Sequence, residues 1–487
     1  GSLAAFSSPT LFGEAADALL GQSVESGYDL NGDGVSELFV SAVGMNGNNG
    51  QVLIVDPVKM KLGVDPIECR INAPTGSSVG SFGWQIAIIN GSSLVVSASS
   101  VGKVFAFDLA SISLPCNGNS PVPAHVVSGV ASDSFGYSMA NLGDIDGNIG
   151  DEIVIGSPEK DFPGLFPWLT DYNVGMVEVY SYSGVSGFTK VGTSINGNGT
   201  YDAQGNLIGS QSSAFASSFF GLSVAPAGDV NGSGVNGIIV GAPFRSSPGI
   251  SNHGGADVFV YDSGAWKLFH RYEEGFDMQF ASFGSAVQSF GIRDGSGENF
   301  HLVAGENASF TGVDNGAGAI FSAAPSGAGA SQFQLTDLTS GFYWNSYFGH
   351  TAMALDLDGG GDLELLVAAS AHFNSVELPR YRAFKAPSGL ISGSANLQVQ
   401  GPSCAGIEPG ATPLALGATG NKVDYSTPIS PMLDLIVTMG LPNQLIWCYY
   451  GILMQTPGSI PSTDNLATLD STDTCTFNIA LNPDLAT

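Results

Sequence analysis

Four oxygen-bearing side chains fall at places 1, 3, 5 and 9 of the segment Asp29-Leu30-Asn31-Gly32-Asp33-Gly34-Val35-Ser36-Glu37. Such alternation points the oxygens at one centre, Gly34 at place 6 permits a sharp turn, and hard cations of calcium size are held by that many oxygens. The pattern returns as Asp144, Asp146, Asn148 and Glu152, with Ile149 in place of the turn glycine. It thins to Asp356, Asp358 and Glu364, where Gly360 at place 5 leaves water or Asp362 to substitute, and to Asp229, Asn231 and Ser233, where Gly237 holds place 9. The expectation is two calcium ions, in the Asp29 and Asp144 loops, and up to four in all. A plain Asx turn competes in each loop, because Asp, Asn and Gly are the commonest turn residues. It competes best at Asp229, where the last carboxylate is lost. An EF-hand is excluded: it needs Glu at place 12, where Val40, Ile155 and Val367 instead continue apolar runs. A ligand set made only of oxygens, with no general base in the loop, suits a structural ion better than a catalytic one.

Other catalytic signals are thin. Gly76-Ser77-Ser78-Val79-Gly80 fits G-x-S-x-G but precedes a strand and is no strand-to-helix elbow, so it reads as linker. His125, His253, His270, His301, His350 and His372 are scattered, with no H-E-x-x-H and no helical pairing. No catalytic residue is assigned, and the chain is not expected to be an enzyme.

The acidic loops sit inside a longer repeat. An aromatic or Leu followed by Gly opens a short strand, a polar turn follows, and an apolar run then ends in small residues. The anchors are Gly21, Gly83, Gly136, Gly221, Gly284, Gly349 and, more weakly, Gly417. A further strand follows each apolar run, as in 50–56, 102–108, 175–181, 255–262 and 316–323, and an outer strand leads into the next copy, as in 124–129 or 266–272. A unit of roughly 60 residues suits a four-stranded antiparallel sheet with strands A to D. One sheet alone leaves both faces wet, so the copies must stack, and a closed ring removes the exposed ends. The expected fold is therefore all-β: a seven-bladed β-propeller of four-stranded antiparallel blades spanning 13–75, 78–130, 131–193, 214–275, 280–336, 344–400 and 412–487, with 1–12 as a ring-closing strand. Small residues at the ends of the B strands let neighbouring blades approach closely.

Phe135-Gly136, Phe220-Gly221 and Gly241-Ala242-Pro243, with the acidic loops between strands A and B, resemble the FG-GAP repeat of the integrin alpha-subunit head. The resemblance covers nearly the whole chain. It implies calcium on the lower face of the propeller and a partner on the opposite face, formed by the B–C and D–A loops. The longest and most aromatic B–C loop carries Phe162, Phe166, Trp168 and Tyr172. Aromatic side chains in a long loop serve an interface core or, equally well, a small core that folds the loop on itself. Arg245, His253, Phe342, Tyr343 and Trp344 are the other candidates on that face.

Charge narrows the partners. With 14 basic and 43 acidic residues the net charge is −29, which cannot neutralise phosphates along a duplex or supply a polybasic membrane patch. The 67 Gly and 25 Pro among 487 residues fit many turns and short strands rather than long helices. No apolar run of about 18 or more residues occurs, so no membrane helix is expected. Of the five cysteines, Cys69 with Cys116 and Cys448 with Cys475 are candidate disulfide pairs, and Cys404 is left over. The sequons at Asn90, Asn198, Asn231 and Asn307 are about as many as chance gives in so Asn- and Ser-rich a chain and carry no argument for secretion. Millimolar extracellular calcium fills weak loops, which favours an extracellular or cell-surface place. The reading that follows is a calcium-stabilised binding or adhesion propeller that recognises a protein or glycan. Two alternatives stay open: a self-associating subunit of a surface layer or appendage, and a secreted hydrolase or lyase with an axial pocket.

Overall fold

The computed structural model describes residues 18–74, 80–163, 170–210, 217–246, 250–272, 282–292, 299–305, 317–323, 331–336, 348–355, 364–369, 380–385, 394–397, 421–424, 432–439 and 445–452. Strands form where the apolar runs alternate with Gly- and Asp-rich turns. The first sheet comprises strands A to D at Leu20–Ser26, Leu38–Ala42, Gln51–Val55 and Ile67–Asn72, each antiparallel to the next. The second runs Phe82–Ile89, Ser93–Ala98, Lys103–Asp108 and His125–Ser128. In the third the strands are Met139–Gly143, Glu152–Ser157, Met176–Ser183 and Gly187–Lys190. The fourth has Val224–Gly228, Gly237–Gly241, Ala256–Asp262 and Ala265–Tyr272, and the fifth Phe283–Ile292, Asn299–Gly305, Ala317–Ala323 and Ser331–Thr336. The chain is thus all-β, with several four-stranded antiparallel sheets. Successive A strands lie against one another, so the sheets stack face to face as the blades of a β-propeller.

What joins the blades is apolar packing on both faces of each sheet. Phe39, Ile54 and Ile71 of the first meet Phe82, Phe105 and Phe107 of the second, all buried. Comparable layers join Val104 to Phe135 and Ile153, Val177 to Phe220 and Phe259, and Val258 to Phe283 and Val303. Full burial of one such aromatic or aliphatic side chain stabilises by about 1.5–3 kcal/mol, which is why B and C strands read as unbroken apolar runs. Cys69 on strand D of the first sheet is disulfide-bonded to Cys116 in the C–D connection of the second, as the sequence suggests. Cys475 lies outside the described residues.

The Phe-Gly motif has a steric cause. Ser81, Ser134, Phe219 and Ser282 all have positive φ just before the aromatic residue, and Gly83, Gly136, Gly221 and Gly284 have φ between +89° and +96° just after it. Backbone in that region strongly favours glycine. A side chain is also excluded by space: a Cβ on Gly284 would sit 2.2 Å from the Gly255 carbonyl oxygen, and one on Gly241 only 2.1 Å from that of Gly284. Parallel bridges Gly50↔Phe82, Gly175↔Phe220 and Gly254↔Phe283 complete the contact between one sheet and the next.

Two regions depart from the regular unit. Between the third and fourth sheets, Ile195–Asn196 adds to the edge of Met176–Ser183, and the hairpin Gly199–Tyr201 with Leu207–Ser210 packs on the fourth sheet, where Leu268 N donates to Gly205 O at 2.9 Å. The sixth sheet orders Phe348–Leu355, Glu364–Ala369 and Arg380–Lys385, then takes Met432–Met439 and Leu445–Ile452 as further strands. Those last two were expected to belong to a separate seventh blade. Ser394–Leu397, inside the span expected for the sixth blade, pairs with Asn421–Asp424, inside that expected for the seventh. The open edge of Arg380–Lys385 is satisfied by the apolar run Met432–Met439.

His301, on strand B of the fifth sheet, is fully buried between two blades. Its Nε2 is 2.8 Å from the Ala227 carbonyl oxygen of the fourth sheet and its Nδ1 is 2.9 Å from the Tyr272 hydroxyl. Burial lowers its pKa from 6.5 to about 4. The unfolded chain therefore takes up this proton below about pH 6.5 and the folded chain only near pH 4, so stability falls as pH falls through that window, by up to about 3 kcal/mol. Urea unfolding between pH 7 and pH 5 should show this loss, and His301→Gln should flatten the slope.

Candidate metal centre

The first, third and fourth sheets each turn from strand A to strand B through an acidic loop held by the same devices. An apolar side chain at place 2 anchors the loop under the sheet: Leu30 packs beside the core between the first two sheets, while Ile145 and Val230 are buried. The place-1 carboxylate then caps the turn. Asp29 accepts the N–H groups of Gly32 at 2.7 Å and Gly34 at 2.8 Å, Asp144 that of Gly147 at 2.8 Å, and Asp229 those of Ser233 and Gly234 at 2.8 Å. Place 3 repeats the cap on a smaller scale, since Asn31 accepts from Asp33 N, Asp146 from Asn148 N and Asn231 from Ser233 N. To this point all three are Asx turns.

Place 9 separates them. Glu37 and Glu152 are fully buried, although each begins or immediately precedes a strand at the end of an otherwise exposed loop. One carboxylate oxygen of each is used: Glu37 Oε2 accepts from Leu30 N at 2.5 Å and Glu152 Oε2 from Ile145 N at 2.7 Å. The other, Oε1, is buried with no hydrogen-bond partner in both residues. A buried carboxylate oxygen without a partner costs about 1–3 kcal/mol or more. Burial pushes the pKa of both glutamates up; Asp29 and Asp33 add to this for Glu37, and Asp146 and Asp144 for Glu152. Either a proton or a positive charge placed beside them relieves this repulsion.

In the third loop the acids already converge. Asp144, Asp146 and Glu152 place one carboxylate oxygen each within 4.8 Å of one another. Asn148 occupies place 5, so the donors are all oxygens, which suits calcium or magnesium rather than a thiolate- or imidazole-seeking metal. Tyr261 of the fourth sheet lies near enough for Asp146 and Glu152 to add to the rise that burial gives its pKa.

The fourth loop has no buried acid at place 9. Gly237 stands at place 9, and a Cβ there would lie 2.6 Å from the Phe259 carbonyl oxygen, so no acid can enter. The place-2 N–H, taken by glutamate elsewhere, is satisfied by Gly228 O at 3.0 Å. Asn299 Nδ2 of the fifth sheet donates to Asp229 O at 2.7 Å and fixes the loop from outside. Asp229 and Asn231 are engaged in the turn's own hydrogen bonds, with Ser233 N as a shared donor. Of the sixth-loop candidates, Asp356 and Asp358 lie outside the described residues, and Glu364 begins the strand Glu364–Ala369.

The proposed partner face divides in the same way. Tyr172 is 62% exposed, and Phe162 is half-buried in a short ladder opposite Asp171. Arg245 is not a surface contact: it is 1% exposed and grips Asp257 through both terminal nitrogens at 2.8 Å. Arg271 holds the same carboxylate from the other side at 3.0 Å. Burial would raise the pKa of Asp257, but the two guanidiniums hold it at about 2. His253 is likewise buried, and its carbonyl accepts from Phe283 N at 3.1 Å. Gly254 N donates to Arg245 O at 3.0 Å and Gly254 bridges to Phe283, so both residues stand beside the junction of the fourth and fifth sheets. Phe166, Trp168, Phe342, Tyr343 and Trp344 lie outside the described residues.

No family model matches the chain, and no curated protein matches it. Among solved structures, the one titled "Structure of Dos1 propeller" is similar over 88% of this chain and 83% of its own, at 11% identity and a TM-score of 0.38.

Glu152→Gln should stabilise the metal-free protein by about 1 kcal/mol, since it removes a buried charge facing two others, and should abolish the response of the third loop to calcium. Gly237→Glu should destabilise by about 2 kcal/mol or more through the clash with Phe259 and gain no calcium response. Denaturant unfolding of both variants with and without calcium checks the pair.

Proposed function

We propose that the chain is an FG-GAP, integrin-alpha-like propeller, stabilised by calcium in its first and third A–B loops. It works outside the cell or on its surface and offers the opposite, B–C and D–A, face to a protein or glycan. The observation that carries the calcium reading is the orphaned, buried Oε1 of Glu152 beside Asp144 and Asp146. In the first loop Glu37 repeats the orphaned oxygen, without the close convergence of three acids. When bound, the ion would supply the positive charge that lets these carboxylates stay ionised together. Asp144, Asp146, Asn148 and Glu152 would hold one ion, and Asp29, Asn31, Asp33 and Glu37 another. The sixth loop, with Asp356, Asp358 and Glu364, is the candidate for a third.

The Cys69–Cys116 disulfide favours an oxidising compartment, where such bonds persist. The net charge of −29 argues against nucleic acid and anionic lipid as partners. For the binding face, the support is the exposed ring of Tyr172 on the long third B–C loop. Rigid aromatic side chains are the usual anchors of such interfaces.

Thermal melting against calcium concentration tests the metal reading. At about 100 times the dissociation constant, one site adds about 2.7 kcal/mol, so the melting temperature should climb with calcium and return with chelator. A melting temperature indifferent to both would overturn it. For the binding face, a glycan array probed with calcium-loaded protein should give signals that Tyr172→Ala weakens without changing the melting temperature.

A further inference from the structure

Asp151 sits between Gly150 and Glu152 in the third loop and belongs to a different set of contacts from the three converging acids. Its Oδ2 accepts the backbone N–H of Asn90 at 2.6 Å and the side-chain amide of Asn141 at 3.2 Å. In return its own N–H donates to Asn90 Oδ1 at 2.5 Å. Asn90 Nδ2 donates to the Tyr182 carbonyl at 3.0 Å, and Asn141 Nδ2 to that of Ile88, also at 3.0 Å. Asn90 stands with positive φ, followed by Gly91 likewise, at the tip of the A–B turn of the second sheet. Two residues on different blades thus exchange side chain for backbone, each completing the other's turn.

The surroundings make that exchange matter to the ion site. Gly147 and Gly150 both have positive φ, so the second half of the third loop runs through two residues with little conformational restraint of their own. Asp151 is the last residue before Glu152 enters strand B, and Tyr182 N donates to Asp151 O at 3.0 Å. Fixing Asp151 to Asn90 therefore fixes the residue that aims the glutamate. The first loop has Ser36 at the same place, so this pairing belongs to the third loop among the two that keep a buried glutamate.

We propose that Asn90 and Asp151 form an inter-blade latch that positions Glu152 for the cation, so that filling of the third loop and docking of the second blade on the third strengthen each other. The proposal rests on the calcium reading given above. Asn90 is a positioning residue: it never touches the ion, and its effect runs through the backbone of Asp151. Preorganisation of a ligand by its outer partners is typically worth 10- to 100-fold in metal affinity, and the coupling must be reciprocal.

The test uses the full chain and calcium alone, followed by calorimetric titration. In a Glu37→Gln/Glu364→Gln background, which leaves the buried acid of the third loop, Asn90→Ala should weaken calcium binding about 10-fold. In a Glu152→Gln/Glu364→Gln background, which leaves that of the first loop, the same change should leave affinity unaltered. Asp151→Ala should match Asn90→Ala, and the double variant should be no worse than either alone. Asp151→Asn keeps an acceptor for Asn90 N and should stay within about threefold of its parent, whereas a directly ligating acid would lose far more. Affinity at the third loop untouched by both Asn90→Ala and Asp151→Ala overturns the latch while leaving calcium standing. Equal weakening at both loops also overturns it, by showing a general loss of stability. No calcium binding by the Glu37→Gln/Glu364→Gln parent overturns the calcium reading of the third loop, and the latch with it. If Asn90→Ala fails to fold, the Asp151→Ala and Asp151→Asn pair decides alone.

Discussion

Backbone touching backbone, with no room for a side chain, is the contact on which the described architecture depends. Gly50, Gly175 and Gly254 each bridge to the aromatic residue that opens the next sheet, and a Cβ on any of the three would lie 2.0–2.1 Å from that residue's carbonyl oxygen. Gly156 and Gly241 meet the carbonyls of Gly221 and Gly284 just as closely. Close approach of this kind places each buried Phe in the apolar layer between two sheets, and among the described residues it sets the A–B turn of the third sheet beside those of the second and the fourth. The loops with chemistry in them inherit their positions from that contact.

Given that frame, the acidic loops solve one problem in two ways. Each must hold a sharp turn that carries several carboxylates. In the fourth loop Gly237 removes the buried acid, the Phe259 carbonyl fills its space, and Asn299 ties the loop to the fifth sheet. The first and third loops retain Glu37 and Glu152 at full burial, each with an oxygen that no protein group satisfies. The fourth loop lacks a buried acid, whereas the first and third keep two glutamates with an unpartnered oxygen. On the proposed reading, a cation would partner those two oxygens.

Much of this could be read from residue order, because its causes are local. Phe-Gly marks the start of a sheet since only glycine takes the required φ, and alternating Asp and Asn with an apolar residue at place 2 marks the A–B turn. The apolar residues Val40 and Ile155 at place 12 correctly placed strand B directly after the loop. What stayed hidden is non-local. Arg245 looks like an exposed loop cation until Asp257 and Arg271 are brought to it across two strands. Asn90 looks like a glycan acceptor, yet its amide is spent on Tyr182 and Asp151, and Asn198 is buried too. The pairing of Met432–Met439 with Arg380–Lys385 follows from an open sheet edge, which no spacing of glycines announces.

The central claim is that a divalent cation sits against the orphaned oxygen of Glu152. Crystals grown with calcium and measured at a wavelength where calcium scatters anomalously test it most directly. The account predicts an anomalous peak about 2.3–2.6 Å from Oε1 of Glu152, shared with Asp144 and Asp146, and no peak inside the Asp229 turn. A water molecule at Oε1 without anomalous signal, or a peak at Asp229 and none at Glu152, would contradict it.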